Sequence, residues 1–311
     1  MPMNTPARTR ARTHVFALAL AALGAGSTGC TEIFAVDFTD PFYVAGMNPQ
    51  GGTPAGPTGD IILTEGDVTV SANTNGGLAQ HIRLNGTTNQ VAVAEFIPTP
   101  TGPEDHYLVS FLGSKQSNQP GVTFIMVYGE DAMGHEVYLC SFAIAASKGA
   151  PNGAWAAVYY ADGKGLEAES FKDTEVYLDV PHRVNLRINR AAQTVFASYT
   201  ALHPSGATTS DEVEVAFDAP FTKLSKVRAY AEGATGDYRL QAMHMSAWSS
   251  AEQSRVVDTA RRYGLLRSPY GQDATLAEEQ RLLDTAFAAS PAELRRWLPT
   301  TTIEIIDAIR P

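Results

Sequence analysis

The chain has little cysteine, little positive charge and no long apolar run. Cys30 and Cys140 are the only cysteines in 311 residues, so a disulfide framework is excluded and a packed core must stabilise the fold. Lys and Arg total 23 against 33 Asp and Glu, for a formal net charge of −10. This balance argues against nucleic acid as a partner, and against charge-driven binding to anionic headgroups.

Motifs for catalysis and for cofactors are missing as well. There is no Gly-rich phosphate loop between a strand and a helix and no G-x-S-x-G segment, and no two of the 7 histidines have metal-ligand spacing. We therefore expect no cofactor and no metal. One alternative stays open: Asp37, Asp40 and Asp237 would form an oxygen-rich calcium site if the first and last strands pair. Otherwise they are turn and edge carboxylates.

The N-terminus has the layout of a secretory signal peptide. Arg8, Arg10 and Arg12 form a basic start, and Val15–Ala25 is an uninterrupted run of apolar and small residues. That run is too short for a membrane-spanning helix, which needs about 20 apolar residues. We expect residues 1–29 to be a signal peptide. Its removal takes away three arginines and no acidic residue, so the mature chain is more acidic still.

The end of this segment, Thr28-Gly29-Cys30, resembles the lipobox of bacterial lipoproteins. In that family the cysteine becomes the lipid-modified first residue. The resemblance implies that Cys30 is lipidated and that this lipid anchors the protein to a membrane. It also implies that the protein lies in the bacterial cell envelope, at the outer membrane, facing the periplasm or the surface. Ser27 departs from the family pattern, which usually has Leu there. A plain secretory signal is the alternative.

The chain then divides into three further regions. Residues 30–60 are expected to be a lipid-anchored tether, because Ala45–Asp60 is rich in Gly and Pro, with Ile33–Phe42 as a possible first edge strand. Residues 61–248 contain many short strand patterns separated by turn pairs such as Asn152-Gly153 and Asp162-Gly163. The turn pairs Asn75-Gly76 and Asn85-Gly86 belong to the same series. This pattern predicts an antiparallel β-sandwich or barrel.

Two kinds of strand pattern occur. His182–Arg190 alternates apolar with polar residues, which predicts one dry and one wet face. Gly121–Tyr128 and Val137–Ile144 are apolar on both faces and are expected to be central strands covered on both sides. The remaining candidate strands are Asp67–Ala72, Gln90–Ile97, Tyr107–Leu112, Trp155–Tyr160, Thr194–Thr200, Glu212–Phe217, Lys226–Ala231 and Tyr238–Ala247.

Residues 249–311 predict a small C-terminal α-helical appendage. Four boxes of the type S/T-x-x-E, each able to cap a helix N-terminus, lie in this region. They are Ser249…Glu252, Thr275…Glu278, Ser290…Glu293 and Thr301…Glu304.

Three segments carry a resemblance to a known family. Tyr177–Asn189 resembles a strand that reads W/Y-H-x-V-x-L-x-I-D in the family, and Thr194–Tyr199 resembles the hairpin strand that follows it. Gly236–Met245 resembles the family's closing strand, which returns beside the first strand. Residues from about 60 to 249 are in this way similar to the concanavalin A-like jelly-roll superfamily, including laminin-G-like domains. The resemblance implies a two-sheet jelly-roll sandwich that binds sugars, mediates protein adhesion or cleaves glycosides.

Trp155 and Tyr159 are the candidate ligand-binding residues. On a strand they share one face, with Ala157 leaving a shallow gap between them, and flat aromatic rings can stack on the apolar faces of sugars. The alternative is that they pack in the core.

Glu212 and Glu214 are the nearest match to the E-x-D-x-E strand motif of glycosidases in the same superfamily. Ala216 replaces the third carboxylate, so we expect no catalysis, and a solvated strand face is the other interpretation. Cys140 lies in an apolar strand and is expected to be a small buried hydrophobe. The sequence therefore predicts an exported envelope lipoprotein with a non-catalytic β-sandwich that binds or scaffolds a glycan or an envelope protein. A glycoside hydrolase is the alternative, and a purely structural role remains open.

Overall fold

The computed structural model describes residues 31–54, 56–72, 77–87, 90–116, 121–232 and 236–254. Within these residues the chain forms fifteen β-strands. Their bounds are β1 Thr31–Asp37, β2 Ile61–Glu65, β3 Val68–Ser71, β4 His81–Gly86, β5 Ala92–Ile97, β6 His106–Lys115, β7 Val122–Glu130, β8 Glu136–Ala146, β9 Ala154–Ala161, β10 Leu166–Ser170, β11 His182–Asn189, β12 Thr194–Leu202, β13 Thr208–Ala216, β14 Lys223–Glu232 and β15 Gly236–Trp248.

The strands form two antiparallel sheets. In sheet A the spatial order is β13-β12-β11-β6-β15-β4-β3, with β1 also paired to β15. In sheet B the order is β10-β9-β8-β7-β14-β5-β2. One face of each sheet contributes to a common apolar core, in which Phe96, Phe111 and Phe142 are completely buried. The predicted antiparallel two-sheet sandwich is confirmed.

Strand β15, the last strand of the described residues, pairs with β1, the first. One side of β15 pairs with β6 along nearly its whole length, and the other side pairs first with β4 and then with β1. Partners in the β1 pairing run from Thr31 opposite Ala247 to Asp37 opposite Ala242. The expectation that the closing strand returns beside the first strand is therefore confirmed.

Residues 31–60 differ from the predicted tether. Strand β1 begins at Thr31, and its side chains Phe34 and Val36 lie in the core. In the Gly- and Pro-rich stretch that follows, the Gly46 amide donates to the Val70 carbonyl over 2.8 Å, and the Val70 amide donates to the Met47 carbonyl over 2.9 Å. Composition correctly indicates that this stretch is irregular. It is nevertheless held against β3, because its backbone groups find partners there.

Aromatic side chains and one histidine fill the centre of the core. The Phe142 ring lies 5.7 Å from that of Phe111 and 6.2 Å from that of Tyr199, between centroids. His182 is completely buried beside them, and its Nε2 lies 3.0 Å from the Tyr238 hydroxyl. Burial lowers the pKa of His182 to about 3, so the imidazole is neutral at physiological pH.

Strands β2, β4 and β10 were not predicted from the sequence. The Asn85-Gly86 pair was predicted as a turn and instead lies at the end of β4. A side chain at Gly86 would meet the Ala231 carbonyl oxygen of β14. The glycine therefore allows the backbones of β4 and β14 to lie close together. The turns at Asn152-Gly153 and Asp162-Gly163 are confirmed, with φ of 70° at Gly153 and 79° at Gly163. Asn75-Gly76 lies outside the described residues.

Two predictions about which strand faces are covered are wrong. The supposedly wet face of β11 is buried, with Asn185 only 2% and Arg187 only 6% exposed. The central strand β7 is buried on one face and only half-buried on the other. Residue alternation correctly identifies the two faces of each strand, but coverage depends on what packs against them.

The chain turns helical after β15. Residues 250–254 are helical, and Ser249 and Glu252 form the predicted capping box. The Glu252 amide donates to Ser249 Oγ over 3.2 Å, and the Ser249 amide donates to Glu252 Oε2 over 2.8 Å. The other three boxes lie outside the described residues. None of the helical structure that is described has the length and apolarity to cross a bilayer.

Candidate functional site: the outer face of sheet B

Trp155 and Tyr159 lie on the face of β9 that points away from the core. Their neighbours Ala154, Ala156 and Val158 belong to the core, while both aromatic side chains are half-buried. Ala157 lies between them and is fully buried. The two rings are 6.1 Å apart and meet edge to face at 75°. They are therefore accessible at the surface of the sheet, but they do not form a single flat platform.

Two further rings continue this pair across sheet B. The Phe124 ring on β7 lies 6.0 Å from that of Tyr159, and the Tyr230 ring on β14 lies 6.4 Å from that of Phe124. Strand β8 runs between β9 and β7, and the small residue Ala143 pairs with both Ala157 and Phe124. Because Ala143 leaves room, rings from non-adjacent strands meet above it. We call Trp155, Tyr159, Phe124 and Tyr230 the aromatic face.

Neutral hydroxyl groups lie beside the aromatic face. The Tyr138 hydroxyl is 2.9 Å from Ser141 Oγ and donates to the Tyr159 carbonyl over 3.2 Å. Burial raises the pKa of Tyr138 well above its ordinary value, so the phenol stays protonated. The Tyr128 ring packs edge to face on Tyr138 at 5.9 Å. These hydroxyl groups bond to each other and to the backbone of β9, which fixes the strand that carries Tyr159.

Paired charges border the aromatic face on β14 and β5. Lys226 Nζ lies 3.2 Å from Glu95 and 2.9 Å from Glu136, and it sits 5.3 Å from the centre of the Tyr128 ring. Arg228 Nε lies 3.6 Å from the same Glu95, and its guanidinium lies over the Tyr230 ring at 5.8 Å. Each cation is therefore matched by a carboxylate, so this border offers no concentrated charge to a ligand.

The structure puts Glu212 and Glu214 in another part of the molecule. Both lie on β13, the edge strand of sheet A, whereas the aromatic face belongs to sheet B. Glu214 is exposed and pairs by register with Phe196, and Glu212 is half-buried opposite Ser198. The carboxylates and the aromatic residues singled out from the sequence therefore do not form one site.

The candidate calcium ligands do not come together. Asp37 pairs by register with Ala242, whereas Asp237 pairs with Asn85, five residues away along β15. Asp40 Oδ1 accepts a hydrogen bond from the Phe42 amide within its own turn. Across the described parts of the chain, no group of three His, Cys, Asp or Glu side chains is arranged to hold a metal ion.

Cys140 is completely buried, as expected for a small core residue. Burial raises the pKa of its thiol to about 12, so it is not a nucleophile at physiological pH. Cys30 lies outside the described residues.

Comparison with known proteins gives similarity at the level of structure alone. No family model matches the chain. No curated protein sequence matches it. Similar solved structures include peanut lectin with a nine-residue peptide (13% identity, 71% of this chain and 98% of that one, TM-score 0.43). The carbohydrate recognition domain of Emp47p is 10% identical over 72% of this chain and 100% of its own, with a TM-score of 0.44. A legume lectin-like domain from Entamoeba histolytica is 10% identical over 59% and 88%, with a TM-score of 0.39. At such low identity and TM-score, these similarities carry no conclusion about a ligand.

Proposed function

We propose that this protein is an exported bacterial envelope lipoprotein whose β-sandwich binds a glycan through the aromatic face, without cleaving it. The observation that carries the proposal is the row of half-buried rings formed by Trp155, Tyr159, Phe124 and Tyr230 on the outer face of sheet B. Grouped aromatic side chains on a surface are a common mark of an interaction site. Lipid on Cys30 would hold the domain at the outer membrane, facing the periplasm or the surface.

The charge of the chain narrows the ligand class. The formal net charge is −10, and the cations near the aromatic face are already paired with Glu95 and Glu136. A polyanion would be repelled by the whole molecule and would find no free cation here. The proposed ligand is therefore a neutral or cationic glycan. An envelope protein presenting a similar polar and apolar surface is the competing partner.

Binding to an array of neutral, cationic and anionic glycans tests the proposal. Trp155→Ala should lose most of the signal, at least tenfold, because stacking on that ring is removed. Glu212→Gln, on the other sheet, is the matched control and should bind like the wild type. Capture of no glycan by the folded wild-type protein would contradict glycan binding.

The same two variants separate binding from catalysis. If the wild type releases reducing sugar from a polysaccharide and Glu212→Gln abolishes that release, the protein is a glycoside hydrolase and the proposal is wrong. The position of Glu214 on an exposed edge strand, with Ala216 in place of a third carboxylate, does not favour that outcome.

A further inference from the structure

The aromatic face runs across sheet B, perpendicular to its strands. By register, Ala157 on β9 lies opposite Ala143 on β8, and Ala143 lies opposite Phe124 on β7. Phe124 in turn lies opposite Tyr230 on β14. From β9 to β14 the row therefore covers three interstrand spacings, about 14 Å. This span is longer than one sugar ring, so the face has room for several linked units.

The rings of the aromatic face are tilted against one another. The interplanar angle is 75° between Trp155 and Tyr159, 65° between Tyr159 and Phe124, and 48° between Phe124 and Tyr230. A flat surface, such as a face of a crystalline polysaccharide, can lie against only one of these rings at a time. A single chain can turn between its units, and so it can present one sugar face to each ring in succession. The tilt therefore favours a single chain in solution over an insoluble surface.

The rings are held in place by one another. Neighbouring ring centroids are 6.0 to 6.4 Å apart, which is within the range of favourable aromatic contacts. Ala143 and Ala157 are completely buried between them. Side chains that are fixed in this way lose little rotamer freedom when a ligand binds. Linked sugar units can then gain affinity at each ring in turn, because every contact after the first is intramolecular.

Small or buried residues follow the row at both of its ends. Next to β9 lies the edge strand β10, which places the exposed residues Ser170 and Ala168 beside the row. At the other end, Tyr230 lies opposite Val93 of β5, which is only 2% exposed and does not rise above the sheet. A chain can therefore continue past either end, so the face accepts interior units and does not require a chain terminus.

Charges of both signs flank Tyr230 along β14. The Arg228 guanidinium lies over the Tyr230 ring at 5.8 Å, and the exposed Glu232 lies two positions further along the same strand face. A cationic unit would meet Arg228 and an anionic unit would meet Glu232, and placing like charges together costs free energy. A neutral unit avoids both contacts. The β14 end therefore narrows the ligand class from neutral or cationic sugars to neutral ones.

We infer that the aromatic face binds an interior segment of about three units in a single linear chain of neutral sugars, laid across the strands of sheet B. This ligand class rests on the glycan binding proposed above and makes it more specific. Units over β9 contact Trp155 and Tyr159, the next unit contacts Phe124, and the unit at the far end contacts Tyr230. Each unit added to the chain within this span engages a further ring, and units beyond it engage none.

Isothermal titration calorimetry of the full-length protein with oligosaccharides of increasing length tests the inference. The probes are cello-, laminari- and N-acetylchito-oligosaccharides of one to six units, all linear and neutral. In at least one series the Kd should fall by about tenfold or more from one unit to three, and should change less than about twofold beyond four. A hexamer blocked at its reducing end should bind like the free hexamer, because interior units carry the contacts.

Tyr230→Thr is the critical variant, because it removes the ring at one end of the row. It should weaken binding of the tetramer about fivefold and leave binding of the disaccharide unchanged, since a disaccharide can bind at the β9 end alone. Leu63→Thr is the matched control. Leu63 is 38% exposed on the same outer face of sheet B, but it lies on β2, two strands beyond β14. This variant should bind both probes like the wild type.

Three results would overturn the inference and leave glycan binding in place. They are equal affinity for one unit and six, an equal loss for disaccharide and tetramer in Tyr230→Thr, and array binding confined to charged or branched glycans. Retention on microcrystalline cellulose or chitin, without binding to any soluble series, would likewise contradict a single chain. Folded protein that binds no glycan, on the array or in solution, would overturn the proposed function together with the inference.

Discussion

The outer faces of the two sheets contrast with what their residue types suggest. Sheet A presents polar side chains that are nevertheless buried: Ser110 and His244 are 0% exposed, and Asn185 is 2% exposed. Sheet B presents aromatic rings that are only half-buried. Polar side chains are usually exposed and aromatic ones usually enclosed. Each sheet reverses this rule in its own direction: sheet A has hydrogen-bonded polar side chains inside, and sheet B leaves a group of rings accessible.

A hydrogen-bonded ladder makes the buried polar face of sheet A tolerable. Ser110 on β6 donates to Asn185 Oδ1 on β11 over 2.6 Å, and Asn185 Nδ2 donates to Ser198 Oγ on β12 over 3.1 Å. The three residues are direct register partners on neighbouring strands. Each polar group is thereby satisfied by another, which is what burial of polar atoms requires. We call this the Ser-Asn-Ser ladder.

The largest effect is expected from breaking the Ser-Asn-Ser ladder. Asn185→Leu should lower the free energy of unfolding by about 2–3 kcal/mol, because two buried serine hydroxyls lose their partner. Urea unfolding measures the change. Arg183→Leu, on the same face of β11 but half-exposed, is the control and should cost less. A loss below about 0.5 kcal/mol for Asn185→Leu would show that this face is effectively solvated.

Acid should weaken the sheet A side of the molecule selectively. Burial, followed by the charge of Arg187, lowers the pKa of His106 to about 4, and burial also lowers the pKa of His81. In the unfolded chain both take up a proton near pH 6.5. Stability is therefore complete above that pH and falls as the pH drops toward 4, by up to about 1.4 kcal/mol per pH unit for each histidine.

Urea unfolding between pH 4.5 and 7 measures this slope. His106→Gln should flatten this slope, because up to about one fewer proton is then taken up on unfolding. An unchanged slope in His106→Gln would show that the folded protein protonates this ring freely. Hydrogen exchange should show the acid effect first in β4, β6 and β11, the strands that carry His81, His106 and His182, because burial lowers the pKa of all three.

The smallest effect on stability is expected on the aromatic face. Tyr230→Thr removes a half-buried ring from β14 and puts a residue of high strand propensity in its place, so the free energy of unfolding should fall by about 1 kcal/mol or less. Glycan binding should weaken measurably in the same variant if the ligand extends to the end of the row. A loss as large as that from Asn185→Leu would mean that Tyr230 is a packing residue, and the contrast between the faces would fail.

The positions of individual strands were easier to predict from the sequence than the coverage of their outer faces. The alternation of Val184, Leu186 and Ile188 identified β11, and all three residues are completely buried. By contrast, β10 (Leu166–Ser170) is exposed throughout, and its alternation of Leu166 and Ala168 with glutamates is too short and too weakly apolar to indicate a strand. Whether the outer face of a strand is wet depends on what lies above it, which the residues of that strand do not specify.

The same limit applies to the candidate site. Trp155 and Tyr159 could be paired from the sequence because each lies two positions from Ala157 on the same strand, and alternate residues of a strand share one face. Phe124 and Tyr230 could not be added, because their proximity depends on the register of β7, β8 and β14. On β7, Phe124, Met126 and Tyr128 alternate with core residues, but apolar residues on both faces of a strand predict burial on both sides, so this pattern does not indicate an accessible face.

Pairing between β1 and β15 also constrains how the molecule assembles. β1 is the first strand of the described chain and β15 the last, so sheet A acquires its final pairing only when almost the whole sandwich is present. Contacts between residues so distant along the chain slow folding, since a large loop must close first. In the growing chain the apolar side of β1, with Phe34 and Val36, waits unpaired until β15 follows. We therefore expect folding to be completed only once β15 is available, and the exposed strand to be prone to aggregation in the interval.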